Sequence, residues 1–349
     1  MRILKYLFII IGLIILAFAG LIITAGIKDY QPNHTREVYS ANTPEVIPET
    51  VTLNVLIWNI GFCGLSDDMD FFYDDGNQVR TSEKNVIENC KNIIGFMQSN
   101  DSIDFYLLQE VDVSSKRSFR INQYDSLKKT FPKFIPAFGK NYDVFFVPLP
   151  FYNPLGKITS GLVTLSRFNP GQVIRYSFHG NYSWPMNLFM LDRCFLVNRH
   201  PLTNGKELLI INTHNSAYDD GSLKEAQMMQ LKSFIMDEYL KGNYIVVGGD
   251  WNQLPNNYNP EFQSNIKSGS NAQYVPESYV PDNWQWGFDN AVPTNRSLST
   301  PYDSESSAKK VIDYYLFSPN IKVIGVKGID LDFKYSDHQP VIACFKMES

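Results

Sequence analysis

The residues of this chain that could do chemistry sit where apolar runs end. Asp250 and Asn252 lie in the stretch NYIVVGGDWNQLP, after the β-branched run at 244–247 and the pair Gly248-Gly249. A run of that kind predicts a buried strand, and the glycines after it let the backbone turn or lie close to another segment. If the chain stays extended, positions 250 and 252 face one side together, so a carboxylate and a carboxamide share a pocket. A turn is the competing reading, because Gly, Asp and Asn cluster in turns for local reasons. Other stretches repeat the pattern. Asn59 closes VTLNVLIWN, Glu110 closes DFYLLQE, His214 follows ELLIINT, Asp313 lies in VIDYYLF, and Asp337-His338 precede the last apolar run. Any one of these alone reads as a cap, a turn or a satisfied polar group. Carboxylates, amides and two of the five histidines gathered at strand ends describe a polar site instead.

The elements that must position these residues can be traced. Val86, Ile87, Cys90, Ile93, Ile94 and Met97 recur at helical spacing and predict a helix over 82–99. A second helix is expected from Ser222, with Glu225 three residues on as a capping box. Its apolar face is Leu223, Ala226, Met229, Leu231, Phe234, Ile235 and Tyr239. Strands are predicted at 51–60, 104–109, 144–147, 161–166, 173–178, 190–198, 207–212, 310–317, 323–327 and 340–345. Two long connections stand out. One is the glycine, acidic and aromatic stretch GFCGLSDDMDFFYDDGNQ, which reads as a recognition loop or a locally packed surface loop. The other is the polar and aromatic segment 255–309, whose length marks it as functional or mobile.

The chain has 349 residues, 44% of them apolar, and a net charge of −5, so no global basic field exists to hold a polyanion. A local basic patch is still compatible with that sum. Cys63, Cys90, Cys194 and Cys344 lack metal-ligand spacing and read as buried or free thiols. Three tripeptides, starting at Asn33, Asn181 and Asn295, match a glycosylation pattern too short to carry weight.

Residues 6–27 hold no charged side chain, and at about 1.5 Å per residue they span a hydrocarbon core of about 30 Å. Arg2 and Lys5 precede them, which favours a cytoplasmic N-terminus and an exported body. A cleaved signal peptide competes, since Ala17-Phe18-Ala19 resembles a cleavage site. The apolar run continues to Ile27, which favours a retained anchor. The expected organisation is a short cytoplasmic stretch at 1–5, a transmembrane signal anchor at 6–27, a tether at 28–49 and one domain at 50–349.

The stretches LIWNI, LLQEV, INTHNS, GGDWN, VIDYYLFS and SDHQPV, in that order over about residues 51–346, resemble the endonuclease/exonuclease/phosphatase superfamily. GDWN stands where GDFN is common, a mild departure. The resemblance implies an α/β (α+β) four-layer sandwich, two mixed β-sheets face to face with helices outside, here preceded by one transmembrane helix. It also implies a phosphoesterase that uses Mg²⁺, with Mn²⁺ as a substitute. Asn59, Glu110 and Asp337 would serve the metal, and the first two are the hard oxygen donors that Mg²⁺ requires. His214, Asp250, Asn252, Asp313 and His338 would form the catalytic set. Asp313 would orient His338 and raise its basicity, and Asn252 and His214 would donate to phosphate oxygens. Either Asp250 or His338 would take the proton from water. Three substrate readings follow. A phospholipid or sphingolipid headgroup cleaved at the anchoring membrane is slightly favoured, a tethered nuclease on DNA or RNA is the alternative, and a non-catalytic binding module of the same fold is the third.

Overall fold

Successive strand residues point to opposite faces of a sheet, so a run apolar throughout marks a strand covered on both sides. A computed structural model describes residues 2–217, 221–266 and 273–348, and its central strands are covered in this way. In chain order the elements begin with α1 (Arg2–Ile27), β1 (Thr35–Ser40), β2 (Thr52–Asn59), α2 (Glu83–Ser99), β3 (Phe105–Asp112) and α3 (Gln123–Thr130). There follow β4 (Ile135–Val147), β5 (Gly156–Ser166), β6 (Gln172–Ser177), β7 (Cys194–Pro201), β8 (Glu207–His214), α4 (Ser222–Leu240) and β9 (Tyr244–Asp250). The chain closes with β10 (Gln285–Gly287), β11 (Asn295–Arg296), β12 (Lys309–Lys310), β13 (Asp313–Phe317), β14 (Ile321–Gly328) and β15 (Val341–Met347).

Two large sheets form, in the orders β1-β6-β7-β8-β9-β13-β10 and β14-β15-β2-β3-β5-β4, with β11 and β12 as a small ribbon. Each large sheet is antiparallel except for one central pair. β2 runs parallel to β3, and β8 runs parallel to β9. A parallel pair needs a crossover, and α2 and α4 supply the two. Leu53, Val55, Ile57, Leu208, Ile210, Val246, Tyr315 and Phe345 fill the space between the sheets. The alternate residues point outward. Leu209, Ile211, Ile245 and Val247 meet α4 through Met228, Leu231 and Ile235. Leu56, Trp58, Tyr106 and Leu108 meet α2 and α3 through Val86, Ile93, Met97 and Leu127. The result is the four-layer sandwich, helices outside two mixed sheets. Buried polar links cross the middle: Gln109 Nε2 donates to Asn212 Oδ1 at 2.7 Å, and the Tyr315 hydroxyl donates to the Val55 and Val341 carbonyls at 2.9 and 2.7 Å.

Several details differ from the sequence expectations. Residues 28–49, expected as a tether, contain β1, paired antiparallel with β6, and Ile47 is buried in the inter-sheet core. Polar strands on a sheet edge carry little apolar period, which hid this one. The helix expected with a capping box starts after Gly221, in left-handed conformation, with no side-chain cap. α2 begins as expected, with the Ser82 side chain accepting from the Asn85 amide. α3 was not foreseen, since about two mostly polar turns leave almost no pattern. Part of the long segment 255–309, residues 267–272, lies outside the described residues. Cys63, Cys90 and Cys194 are buried free thiols, and Cys344 is a half-buried one.

Candidate active site

Asp250 ends β9, and the strand register puts one site residue on each side of it. His214 is its partner on β8 and Asp313 its partner on β13, so three polar residues lie across one row of the seven-stranded sheet. The glycines before Asp250 make this row possible. A Cβ on Gly249, whose φ is +147°, would sit 2.0 Å from the Thr213 carbonyl oxygen, and one on Gly248 would meet Ile57 of the opposite sheet at 2.7 Å. Both contacts are closer than any side chain tolerates. The tight approach of β8 and of the second sheet therefore selects glycine at both positions.

The Asp250 carboxylate is a hub. Its Oδ1 accepts from the Asn252 backbone amide at 2.9 Å, and its Oδ2 accepts from Asn59 Nδ2 at 3.1 Å. His214 Nε2 lies 3.4 Å and His338 Nε2 3.8 Å from the same Oδ2. Asn252 thus reaches the site by a turn closed on Asp250, with φ +52°, and not by extended alternation. Its Nδ2 donates to the Asn215 carbonyl at 2.9 Å.

Each histidine has a defined charge. His338 Nδ1 is 2.8 Å from Asp313 Oδ2, and its Nε2 is 3.0 Å from the Asn295 carboxamide. Burial works against a charged ring there, but the carboxylates of Asp313, Asp337 and Asp250 outweigh it and push His338 up to about 10. Burial in turn pushes Asp313 up to about 6, against its pairing with His338. At neutral pH the pair is therefore an imidazolium against a carboxylate. His214 is the opposite case. Burial, reinforced by the charges of Arg193, His338 and Arg117, holds it well below the ordinary histidine range, so it is neutral. Its Nδ1 is buried with no hydrogen-bond partner among the described residues.

Glu110 and Asp337 form a second, acidic part of the site. Glu110 takes φ +55° at a register shift between β3 and β5, which turns its side chain off the strand's alternation. Burial, with the like charge of Glu110 adding to it, pushes Asp337 up to about 6 although His338 opposes the shift. A Cβ on Gly61 would come within 2.8 Å of Asp337 Oδ1, so glycine there keeps space beside that oxygen. Two carboxylates that repel, with room beside one of them, fit a hard divalent ion. Asn59 is committed elsewhere: its Oδ1 accepts from the Gly61 amide at 3.1 Å while its Nδ2 holds Asp250. Asp250, Asp313 and His338 also bring ligand atoms within 4.8 Å of one another. A protonated His338 already bonded to Asp313 is a poor ligand, so the Glu110–Asp337 side fits a cation better.

These groups line a cleft of about 810 Å³. Its walls include Arg117, Arg193, Lys224, Arg296, Lys309 and Lys310, basic side chains set among the carboxylates of Asp74, Asp75, Glu110, Asp250 and Asp337. Arg117 holds Asp112 through two nitrogens, at 3.0 and 3.2 Å, and lies 3.9 Å over the Phe62 ring. Arg296 Nη2 donates to the Ser66 and Met69 carbonyls, which fixes the acidic and aromatic connection after β2. Phe71, Tyr73, Asp74 and Asp75 of that connection line the cleft. Sequence reasoning missed Asn295 as a site residue. It sits in a glycosylation-like tripeptide, yet it is buried against His338, where no glycan fits.

A family model described as the Endonuclease/Exonuclease/phosphatase family matches residues 56–338. No curated protein matches the chain in sequence. Among solved structures, an endonuclease/exonuclease/phosphatase from Beutenbergia cavernae DSM 12333 is 19% identical over 85% of this chain and 72% of its own, with TM-score 0.57. One described in the same words from Bacteroides vulgatus is 13% identical over 86% and 100%, with TM-score 0.54. ANGEL2, a 2′,3′-cyclic phosphatase solved with adenosine-2′,3′-vanadate, is 16% identical over 85% and 96%, with TM-score 0.56. At these identities the likeness is one of fold.

Proposed function

The chain belongs to the endonuclease/exonuclease/phosphatase family, and on that premise we propose that it is a divalent-metal-dependent phosphodiesterase. The observation that carries this reading is the Asp250 hub, a buried carboxylate held between Asn59, His214 and the His338–Asp313 pair. A histidine already protonated cannot accept a proton, so Asp250 Oδ2 is the atom that takes it from the attacking water. His338 Nε2, neutral His214 and Asn252 donate toward the non-bridging phosphate oxygens as charge builds there. Asp313 is a positioning residue: it keeps the His338 ring oriented and charged. Glu110 and Asp337 would hold Mg²⁺, or Mn²⁺ in its place, with Asn59 steadying Asp250 beside them. When bound, the ion polarises a phosphoryl oxygen and offsets charge on the leaving oxygen.

A phospholipid or sphingolipid headgroup, sphingomyelinase-like, is the favoured substrate, cleaved outside the cytoplasm beside the anchoring membrane. Its support is α1, a helix long and apolar enough to cross a membrane, with Arg2 and Lys5 at its N-terminal end. Nucleic acid is the second reading, supported by the arginines and lysines among the cleft's lining residues. The test is Mg²⁺-dependent hydrolysis by the full chain in detergent, with plasmid DNA and choline- or inositol-headgroup lipids side by side. Cleavage of lipid supports the first reading and cleavage of DNA the second. Hydrolysis by an Asp250→Asn variant at the wild-type rate would overturn the mechanism.

A further inference from the structure

Among the described residues outside α1, large apolar side chains are exposed singly at places such as Met229 and Leu240, and in pairs in two connections. Phe151 and Tyr152, in the β4–β5 connection, are 83% and 78% exposed, and Trp184 and Met186, between β6 and β7, are 71% and 52% exposed. Single exposed apolar residues are ordinary on a protein surface. These are not scattered, because both connections border the place where α1 meets the body. α1 approaches β4 and the turn Met186–Phe189. Lys28, the first residue after α1, holds its Nζ 4.0 Å from the ring of Phe145 on β4, itself half exposed. The β4–β5 connection carrying Phe151 begins three residues beyond Phe145.

The path from α1 to the body is short and fastened. Tyr30 lies under Lys140 Nζ at 3.8 Å. The Asn33 and His34 carbonyls accept from Ser177 at 2.9 and 2.8 Å, and β1 starts at Thr35. Even fully extended, residues 28–34 would span only about 24 Å, and these contacts hold them down. A membrane around α1 must therefore come up against the surface beside its exit.

We propose that Phe151, Tyr152, Trp184 and Met186 dock into that membrane, the lipid bilayer that α1 spans, at the level of its headgroups. Tyr and Trp favour that level because a ring with one polar edge suits the boundary between water and acyl chains. Lys116, exposed and bonded through Nζ to the Pro154 carbonyl at 3.0 Å, and exposed Lys157 flank the β4–β5 connection with positive charge suited to lipid phosphates. Docking here has a consequence for catalysis. Tyr182, Met190, Leu191 and Leu155 line the cleft, and each lies within about five residues of a docking residue. The cleft mouth is seated on the lipid surface, so a headgroup enters it without leaving the bilayer. Docking itself rests on reading α1 as a retained span, and its catalytic consequence on the lipid-headgroup reading above.

Trp184 makes the proposal testable in the intact chain. Trp58, Trp251 and Trp284 are buried, and Trp286 is packed into the core around α4. The full chain is reconstituted in phosphatidylcholine vesicles whose acyl chains carry bromine near the headgroup or near the chain end. Shallow bromine is expected to quench a fluorescence component more than deep bromine does, and Trp184→Phe removes that component. Quenching unchanged by Trp184→Phe, or none at all, overturns the proposal, as does association of two chains through this face without quenching. A Phe151→Ser/Tyr152→Ser/Trp184→Ser variant should hydrolyse vesicle lipid about tenfold more slowly while its rate on a soluble nitrophenyl phosphodiester holds. Equal loss on both substrates overturns the catalytic consequence. Quenching in a chain that cleaves DNA and no lipid leaves docking standing and removes the lipid reading alone.

Discussion

Asp313→Asn separates the two roles open to His338. The replacement keeps size and an accepting oxygen, and removes one negative charge 2.8 Å from the ring. At an effective dielectric of about 20, charges about 4 Å apart interact by about 4 kcal/mol, or about three pKa units. That carboxylate favours the imidazolium, so its loss lowers His338 from about 10 to about 7. At about pH 8.5 only about 3% of the ring would then be protonated, so kcat should fall about 30-fold, with recovery toward wild type at about pH 6. The measurement is kcat against pH for both proteins on one soluble phosphodiester at saturating Mg²⁺, with thermal unfolding to show an intact fold. An alkaline limb that stays in place would refute the charge assignment. Activity that rises on the alkaline side would make His338 the base in place of Asp250.

Three further outcomes are expected. Glu110→Gln should raise the Mg²⁺ concentration for half-activity by about tenfold or more, read from metal titrations of rate; an unchanged requirement removes Glu110 from the metal site. Gly249→Ala must place a methyl where the Thr213 carbonyl oxygen stands, 2.0 Å away, and should destabilise the fold by about 3 kcal/mol or more, visible as a lower urea midpoint. Burial pushes His200 down to about 3, against an unfolded value of about 6.5. Its folded pKa is depressed, so stability is lost as pH falls below about 6.5, by about 2 kcal/mol at about pH 5. His200→Leu should flatten that loss between about pH 7.5 and 5 in urea melts, and parallel losses in the two proteins would show that other groups set the acid sensitivity.

Strand ends carried most of the site into the sequence. Asp250, His214, Asp313 and Asn59 each follow or sit in an apolar run, and runs buried on both faces leave a strong signal. Asn252 is delivered by a turn on Asp250, the second of the two local geometries that the sequence left open. Glu110 was placed by its run, but the backbone irregularity that aims it has no sequence mark, because a left-handed φ at a glutamate follows from tertiary contacts. Asn295 and Arg296 were invisible. They lie on a two-residue ribbon strand in a polar segment, and their partners come from distant parts of the chain, His338 and Asp337 on one side and Ser66 and Met69 on the other. Arg117 and Arg193 belong to connections, where charge alone does not separate a cleft wall from a solvated surface. The edge strand β1 escaped for want of apolar residues.

The row His214–Asp250–Asp313 has a consequence for how this site can change over evolutionary time. Neighbouring strands lie about 4.8 Å apart, so the spacing of these three residues is inherited from the hydrogen-bond ladder and drifts only if the sheet does. The connections around the cleft carry no such constraint. Insertion, exchange or trimming at 62–78, 148–155 and 178–193 can reshape what enters while the proton-handling core keeps its dimensions. A lineage built on this chassis would be expected to diversify in its choice of ester long before it altered its chemistry.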